Sequence, residues 1–375
     1  MLAVLAVIAA AAFTFDVADA ASLANVESRL FTTKDFVLES GVVLPELTLA
    51  YETYGTLAPD GRNAVLVTHG FTSSHHAAGR YRPGGAPKGL HDEDLGQWDD
   101  LVGPGKPIDT ERLFVVSSNM LGSSYGSTGP ASLNPRTGKP YGPDFPRFTV
   151  RDIVKAQKAM LDALGVKHLV AVAGPSYGGF QAFQWAVTFP EFMDGIVPVV
   201  TAPSLGGGPA GTRAMIDQLK TDPNWNDGWY YDKGGVVPTL TRIRVEAVKR
   251  YGIEAALAAK FPDPAARDAE IERLAGSWAQ VFDANSMVAL RRALETYDTV
   301  PELAKIHAKV LYVLSRTDQL FPPRIAPGVM AALESAGVAA RYVEIDSDKG
   351  HLASGLDAAK WAEELRAFMN RLPGS

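Results

Sequence analysis

The chain reads as a doubly wound α/β protein with a mostly parallel sheet and one helical insertion. Three observations predict this. Apolar runs rich in Val, Leu and Ile recur at residues 64–68, 113–117, 168–173, 195–200, 309–314 and 341–345, with a further short run at 47–53. They are continuous rather than alternating, as expected of strands covered on both faces. Helical periodicity fills the gaps between them, at residues 149–164, 180–188, 323–335 and 357–372, and this alternation is the signature of parallel strands with crossover helices. Finally, residues 201–300 carry helical patterns at 239–251, 265–278 and 285–296 with no strand between them.

Each element has its own cue. Residues 64–68 (AVLVT) end at His69-Gly70, a strand followed by a turn. The helix expected over 149–164 places Ile153, Ala156, Met160, Leu161 and Leu164 on one face and stops at Gly165. Pro198 within 195–200 lacks a ladder donor and points to a bulge or a weakened strand. Residues 204–210, rich in Gly and Pro, read as a hinge or exit loop. The expected organisation is a catalytic core of residues 30–200 and 301–375 with a helical cap at 201–300. A length of 375 residues suits one large domain carrying such a piece.

The N-terminus stands apart. Residues 2–15 are apolar or small except for Thr14, and Ala18-Asp19-Ala20-Ala21 resembles a cleavage site, so residues 1–20 read as a signal peptide and the protein as exported. No Lys or Arg precedes the run, which leaves a cytoplasmic protein as the alternative. The run is shorter than the roughly 20 residues of a membrane helix, so no integral span is expected.

Composition narrows the chemistry. The absence of cysteine excludes a disulfide scaffold, thiolate metal sites and a cysteine nucleophile. A net charge of −6 without a long Lys/Arg run argues against a nucleic-acid partner. No His-x-x-x-His or carboxylate cluster has ligand spacing, and no phosphate-binding glycine loop is present, so neither a metal nor a cofactor is expected. The expected partner is a small-molecule ester or acyl donor.

The motif that carries chemistry is Gly174-Pro175-Ser176-Tyr177-Gly178-Gly179, a G-x-S-x-G placed after a strand and before a helix. A serine on such a sharp turn projects toward both base and substrate, and the following helix brings backbone amides to a developing oxyanion. A serine hydroxyl needs a base. His351, in the loop between the last strand and the last helix, stands where the chain order Ser…Asp…His places it. Asp318, just after residues 309–314, is the acid that would hold its tautomer, with Asp346 and Asp348 as rivals. The oxyanion hole is expected from the amides of Tyr177 and Phe71. His75 and His76 follow the same early loop and could line the pocket.

The chain from about residue 36 onward resembles the homoserine O-acetyltransferase family of the α/β-hydrolase fold. The carriers are residues 47–57 (LTLAYETYGTL), 98–110 (WDDLVGPGKPIDT), Gly126-Ser127-Thr128-Gly129-Pro130, Asn134-Pro135-Arg136-Thr137-Gly138-Lys139-Pro140, Asp222-Pro223-Asn224-Trp225, Phe282-Asp283-Ala284-Asn285 and Thr317-Asp318-Gln319-Leu320-Phe321. The resemblance places nucleophile, acid and base on Ser176, Asp318 and His351. It implies an acyl-serine intermediate and transfer of an acyl group from a CoA thioester to a hydroxyl, and it is compatible with a homodimer.

The chain also departs from the family pattern. The elbow carries Pro175 and Tyr177 where Gly and Met are usual, and the first loop reads Gly70-Phe71-Thr72-Ser73 instead of Ala-Leu-Thr-Gly. Leu352-Ala353-Ser354 replaces Asp-Ala-Phe-Leu after the histidine, and the cap is shortened between Tyr251 and Phe282. The family arginine that holds the amino-acid carboxylate would fall near Ile216, with Arg213 almost a helical turn away; Arg242 matches another family arginine. Arg213, Arg242 and His75 are the expected substrate-binding side chains. Loss of the carboxylate clamp and a shorter cap favour water over an alcohol as acceptor. The leading expectation is therefore hydrolysis of a small acyl ester. A homoserine O-acetyltransferase is the alternative, and a non-catalytic binding protein on the same fold is the third reading.

Overall fold

The computed structural model describes residues 23–374; the expected signal peptide lies outside the described residues. The strands are β1 (Arg29–Val37), β2 (Val43–Tyr54), β3 (Ala64–Thr68), the two-residue pair β4 (Val102–Gly103) and β5 (Ile108–Asp109), β6 (Phe114–Ser118), β7 (Leu169–Pro175), β8 (Met193–Val199), β9 (Lys309–Ser315) and β10 (Ala340–Ile345). The main sheet has the order β1-β2-β6-β3-β7-β8-β9-β10. β1, β2 and β6 pair antiparallel, and from β6 to β10 all neighbours run parallel.

Every residue of β3 is buried, and β7 is buried up to Pro175. This is why these stretches carry apolar side chains on both faces rather than on alternate positions. Two buried clusters lie on opposite sides of the sheet. One holds Leu66, Val116, Val172, Phe183 and Trp185; the other holds Val65, Val67, Ala171, Trp98 and Trp361.

The helices are α1 (Val150–Ala163), α2 (Tyr177–Thr188), α3 (Ala210–Leu219), α4 (Val237–Tyr251), α5 (Ile253–Leu257), α6 (Pro264–Ala279), α7 (Ala284–Ala293), α8 (Ala326–Ser335), α9 (Ala353–Leu356) and α10 (Ala362–Met369). α1 starts at a capping box: Thr149 Oγ1 accepts from the Asp152 amide, and the Asp152 carboxylate accepts from the Thr149 amide. α3 to α7 fall between β8 and β9, an insertion that holds helices and no strand among the described residues. Among the described residues no helix is long and apolar enough to cross a membrane.

Four local expectations need correction. β1 was not expected; its sequence RLFTTKDFV is an edge strand of mixed polarity, with Leu30 and Val37 exposed. Pro198 creates no bulge, because Ile196–Val310 and Val199–Val313 pair with the same offset on either side of it. α3 begins at Ala210, inside the segment read as the end of a hinge. The helix expected over 357–372 is broken at Trp361, whose buried indole packs edge-on against Trp98 and donates to the Ser354 carbonyl.

The chain leaves β3 toward β6 on one side and returns to β7 on the other. The carboxyl ends of β3 and β7 therefore flank a reversal of strand order, the position where open α/β sheets form crevices. Ser176 and the Gly70–Ser73 loop both lie there.

Candidate active site

Ser176 sits between β7 and α2 at φ 57°, ψ −117°, a strained left-handed backbone for a non-glycine residue. Hydrogen bonds hold its backbone on both sides: its amide donates to the Val199 carbonyl (2.8 Å), and its carbonyl accepts from Thr201 Oγ1 (2.9 Å) and from the Gly179 and Phe180 amides (2.9 and 3.2 Å). The motif's glycines answer to neighbours. A Cβ on Gly174 would lie 2.1 Å from Thr68 Oγ1, and one on Gly179 would lie 2.3 Å from Thr201 Cγ2. Thr68 Oγ1 in turn donates to the Gly178 carbonyl (2.9 Å), so the end of β3 braces the turn.

His351 Nδ1 lies 2.8 Å from Asp318 Oδ2, with both side chains buried. The geometry assigns the Nδ1 proton to a bond with the carboxylate, which leaves Nε2 as an acceptor. The other carboxylate oxygen, Asp318 Oδ1, accepts from the Leu320 amide (2.8 Å). Thr317 Oγ1 donates to the Ser347 carbonyl and accepts from the Gly350 amide, joining the loop of the acid to the loop of the base. The rings of Tyr251 and Phe321 lie 5.1 and 5.8 Å from the His351 ring. The rival Asp346 is exposed and pairs with Arg316 (2.5 Å).

Ser176 and His351 line one cavity of about 380 Å³, closed by Phe71, Trp98, Arg244 and Tyr251. Among the described residues the amides of Phe71 and Tyr177 donate to no protein acceptor. Tyr177 opens α2, where backbone N–H groups lack intrahelical partners and the helix dipole favours negative charge. Their rings stack with centroids 5.9 Å apart, and the Tyr177 hydroxyl donates to the Leu290 carbonyl of α7. The elbow is thereby tied to the helical insertion.

Three expected binding residues are not brought to this cavity. His75 is fully buried, with Nε2 2.7 Å from Ser28 Oγ and 3.7 Å from the Glu52 carboxylate. Burial pulls its imidazole down to about 4, so it is neutral near pH 7. Glu52 also accepts from the Tyr54 and Tyr81 hydroxyls and contacts His76 Nδ1 (3.1 Å), so this cluster braces the loop after β3 from behind. Arg213 is exposed on α3, whose Gly211, Ala214, Met215 and Gln218 line a second cavity: that i, i+3, i+4, i+7 face turns position 213 away. Arg242 is exposed on α4, bonded to Thr221 Oγ1 (3.1 Å) and 3.9 Å from Glu246.

The residue missed by sequence reasoning is Arg244, two positions further along. Its Nη1 donates to Thr72 Oγ1 (2.6 Å), and its guanidinium lies over the Trp278 ring at 4.7 Å. Burial pulls its pKa below the usual arginine value. The available signal was helical spacing: Arg244 and Tyr251, at i and i+7, share the α4 face that closes the pocket.

Comparison with known proteins agrees with this architecture. Residues 63–358 match the model of the alpha/beta hydrolase fold family, which defines an α/β-hydrolase-fold enzyme. The chain belongs to the homoserine O-acetyltransferase-like branch of that fold. It is 40% identical over 359 residues to a homoserine O-acetyltransferase of Symbiobacterium thermophilum, covering 90% of this chain and 92% of the relative. It is 39% identical to a homoserine O-succinyltransferase of Methylibium petroleiphilum, covering 89% and 91%. Among solved structures, a homoserine O-acetyltransferase from Bacillus anthracis superposes with TM-score 0.83 at 30% identity, covering 93% of this chain and 99% of that one. Esterase E22 superposes with TM-score 0.82 at 30% identity, covering 92% and 100%. The relatives thus favour acyl transfer to an alcohol over the ester hydrolysis expected first from sequence.

Proposed function

We propose that the protein is an O-acyltransferase that moves a small acyl group from a thioester to the hydroxyl of homoserine through an acyl-serine intermediate. The observation that carries this reading is the identity of 40% and 39%, over about nine-tenths of both chains, to relatives named homoserine O-acetyltransferase and O-succinyltransferase.

In this reading Ser176 Oγ attacks the thioester carbonyl while its proton passes to His351 Nε2. The amides of Phe71 and Tyr177 receive the oxyanion, and Asp318 stabilises the imidazolium. Collapse breaks the carbon–sulfur bond, the leaving thiol takes the proton from His351, and the acyl group remains on Ser176. The homoserine hydroxyl then gives its proton to His351 and attacks the acyl carbonyl; the proton returns to Ser176 as the new ester leaves.

Hydrolysis of a small ester is kept as a second reading for one observation, the fold similarity to esterase E22 at 30% identity. It differs only in the second attacking group, water in place of the alcohol. The test is to incubate the enzyme with acetyl-CoA or succinyl-CoA, with and without homoserine, and to follow free thiol and product together. The transferase reading expects thiol release to rise at least about tenfold with homoserine and to match ester formed. Thiol release indifferent to homoserine, yielding free acid, contradicts it and establishes the hydrolase.

A further inference from the structure

Glu52 of β2 is a fully buried carboxylate that the catalytic steps do not use. Tyr54 and Tyr81 donate their hydroxyl protons to it, one to each oxygen. The Tyr54 oxygen also accepts from the Ala77 and Ala78 amides (3.2 Å each), which ties the loop after β3 to the same carboxylate. Among the described residues no lysine or arginine pairs with Glu52; its basic neighbours are His75 (3.7 Å) and His76 (3.1 Å). His75 is neutral near pH 7. A buried carboxylate left without a counter-charge is costly, and His76 is the side chain placed to supply one.

His76 is itself buried, with both ring nitrogens against acceptors. Nδ1 faces Glu52 Oε2 (3.1 Å) and Nε2 faces the Asp94 carbonyl (3.0 Å). A neutral imidazole carries one N–H and would leave the other contact between two lone pairs; an imidazolium satisfies both. The Tyr81 ring stacks on it with centroids 4.1 Å apart. Burial opposes the charge, but the bond to Glu52, its negative charge and the Asp94 carbonyl outweigh it and raise His76 above the ordinary histidine value. The titratable groups around the ring are thus Glu52 and Tyr54 from β2, His75 and Tyr81 from its own loop, and Asp94, whose carboxylate accepts from the His91 amide (2.8 Å). This ring joins three segments that meet at the active site. The Gln97 amide donates to the His76 carbonyl (3.1 Å) and the Trp98 amide to the Ala77 carbonyl (2.8 Å). Gln97 and Trp98 form a wall of the catalytic cavity, and the loop that ends in His76 starts with Gly70 and Phe71 on the same cavity.

We propose that His76 is a positioning residue: as an imidazolium bridging Glu52 and the Asp94 carbonyl it fixes the Gln97–Trp98 wall and the loop bearing Phe71, and its loss of a proton sets the alkaline limit of acyl transfer. The proposal rests on the acyl-serine reading above. A native value raised above the unfolded one means that the bridge is complete below the ordinary histidine value and is lost as pH rises through the raised one. Beyond that point the ring keeps one N–H, one of its two bonds is gone, and Glu52 is left buried without a counter-charge.

The test follows thiol release from acetyl-CoA with homoserine by the full-length enzyme across pH, and titrates the His76 ring by nitrogen NMR, its signal identified by its loss in His76→Gln. Both ring nitrogens should carry protons near pH 7, and kcat/KM should fall as the ring titrates. Glu52→Gln removes the counter-charge and should move the titration and the alkaline limb down together by about one pH unit or more. Tyr81→Phe keeps a ring stacked on His76 but removes a donor from Glu52, so both should move up. His76→Gln cannot titrate; it should lower kcat/KM about tenfold or more and remove this pH dependence. A brace that serves folding alone would lower activity without moving the limb in opposite directions. If Glu52→Gln does not fold, Tyr81→Phe supplies the comparison. A His76 ring that is neutral near pH 7, or an alkaline limb that these substitutions leave in place, overturns the proposal. If thiol release still depends on Ser176 in that case, the acyl-serine reading survives. No turnover of acetyl-CoA or of a short-chain ester at any pH overturns both.

Discussion

Ser176→Ala should lower kcat for acyl transfer by about 10⁴- to 10⁶-fold while leaving the melting temperature unchanged or slightly raised. The expectation follows from how the turn is built. The strain at φ 57° belongs to the backbone and is held by Val199 and Thr201, and Ser176 Oγ donates to no protein acceptor among the described residues. Removing the hydroxyl therefore deletes the nucleophile without removing a packing contact or a cap. The activity left over would come from the oxyanion donors and from binding alone. Steady-state rates together with thermal unfolding check this. A loss of less than about tenfold at unchanged stability would mean that another group forms the covalent bond, or that none does.

Asp318→Asn should cost about 10³- to 10⁴-fold in kcat with little change in KM. The two carboxylate oxygens have different partners: Oδ1 accepts from the Leu320 amide and Oδ2 faces His351 Nδ1. In the variant the asparagine carbonyl stays on the Leu320 N–H, so its NH₂ group is turned toward His351. That donor needs an acceptor at Nδ1, which moves the ring proton to Nε2, and a protonated Nε2 cannot take the serine proton. The substitution thus leaves the ring in place and inverts its tautomer. Asp346→Asn is the matched control, because Asp346 is exposed and paired with Arg316; its effect should stay within about twofold. Equal effects of the two substitutions would remove Asp318 from the role given to it.

The parts of this molecule that were legible from sequence are those dictated by local chemistry. β3, β7 and β9 announce themselves because burial on both faces leaves their interiors without a charged residue. The elbow is legible because Thr68 and Thr201 press so closely on Gly174 and Gly179 that side chains there would collide. The pairing of Asp318 with His351 follows from chain order, since each closes a strand of the same parallel sheet.

What escaped depends on orientation across distance. β1 lies at the sheet edge, where solvent relaxes the demand for apolar residues. His75 reads as a pocket residue until Glu52 and Ser28, from remote parts of the chain, are seen to bury it. The choice among Arg213, Arg242 and Arg244 turns on which face each helix presents. α3 shows its small and apolar side to the second cavity and α4 shows Arg244. A motif count along the chain cannot rank three arginines whose difference is a rotation about a helix axis.

The most direct test of the central claim is to trap the covalent intermediate. Enzyme mixed with acetyl-labelled thioester is acid-quenched within milliseconds, digested and mapped by mass spectrometry, with a parallel sample chased by homoserine. The account predicts label on the peptide that contains Ser176, at no more than one acetyl group per chain, and discharge by homoserine faster than by water. Formation of the product ester with no labelled enzyme at any quench time, or label on a residue other than Ser176, would contradict it.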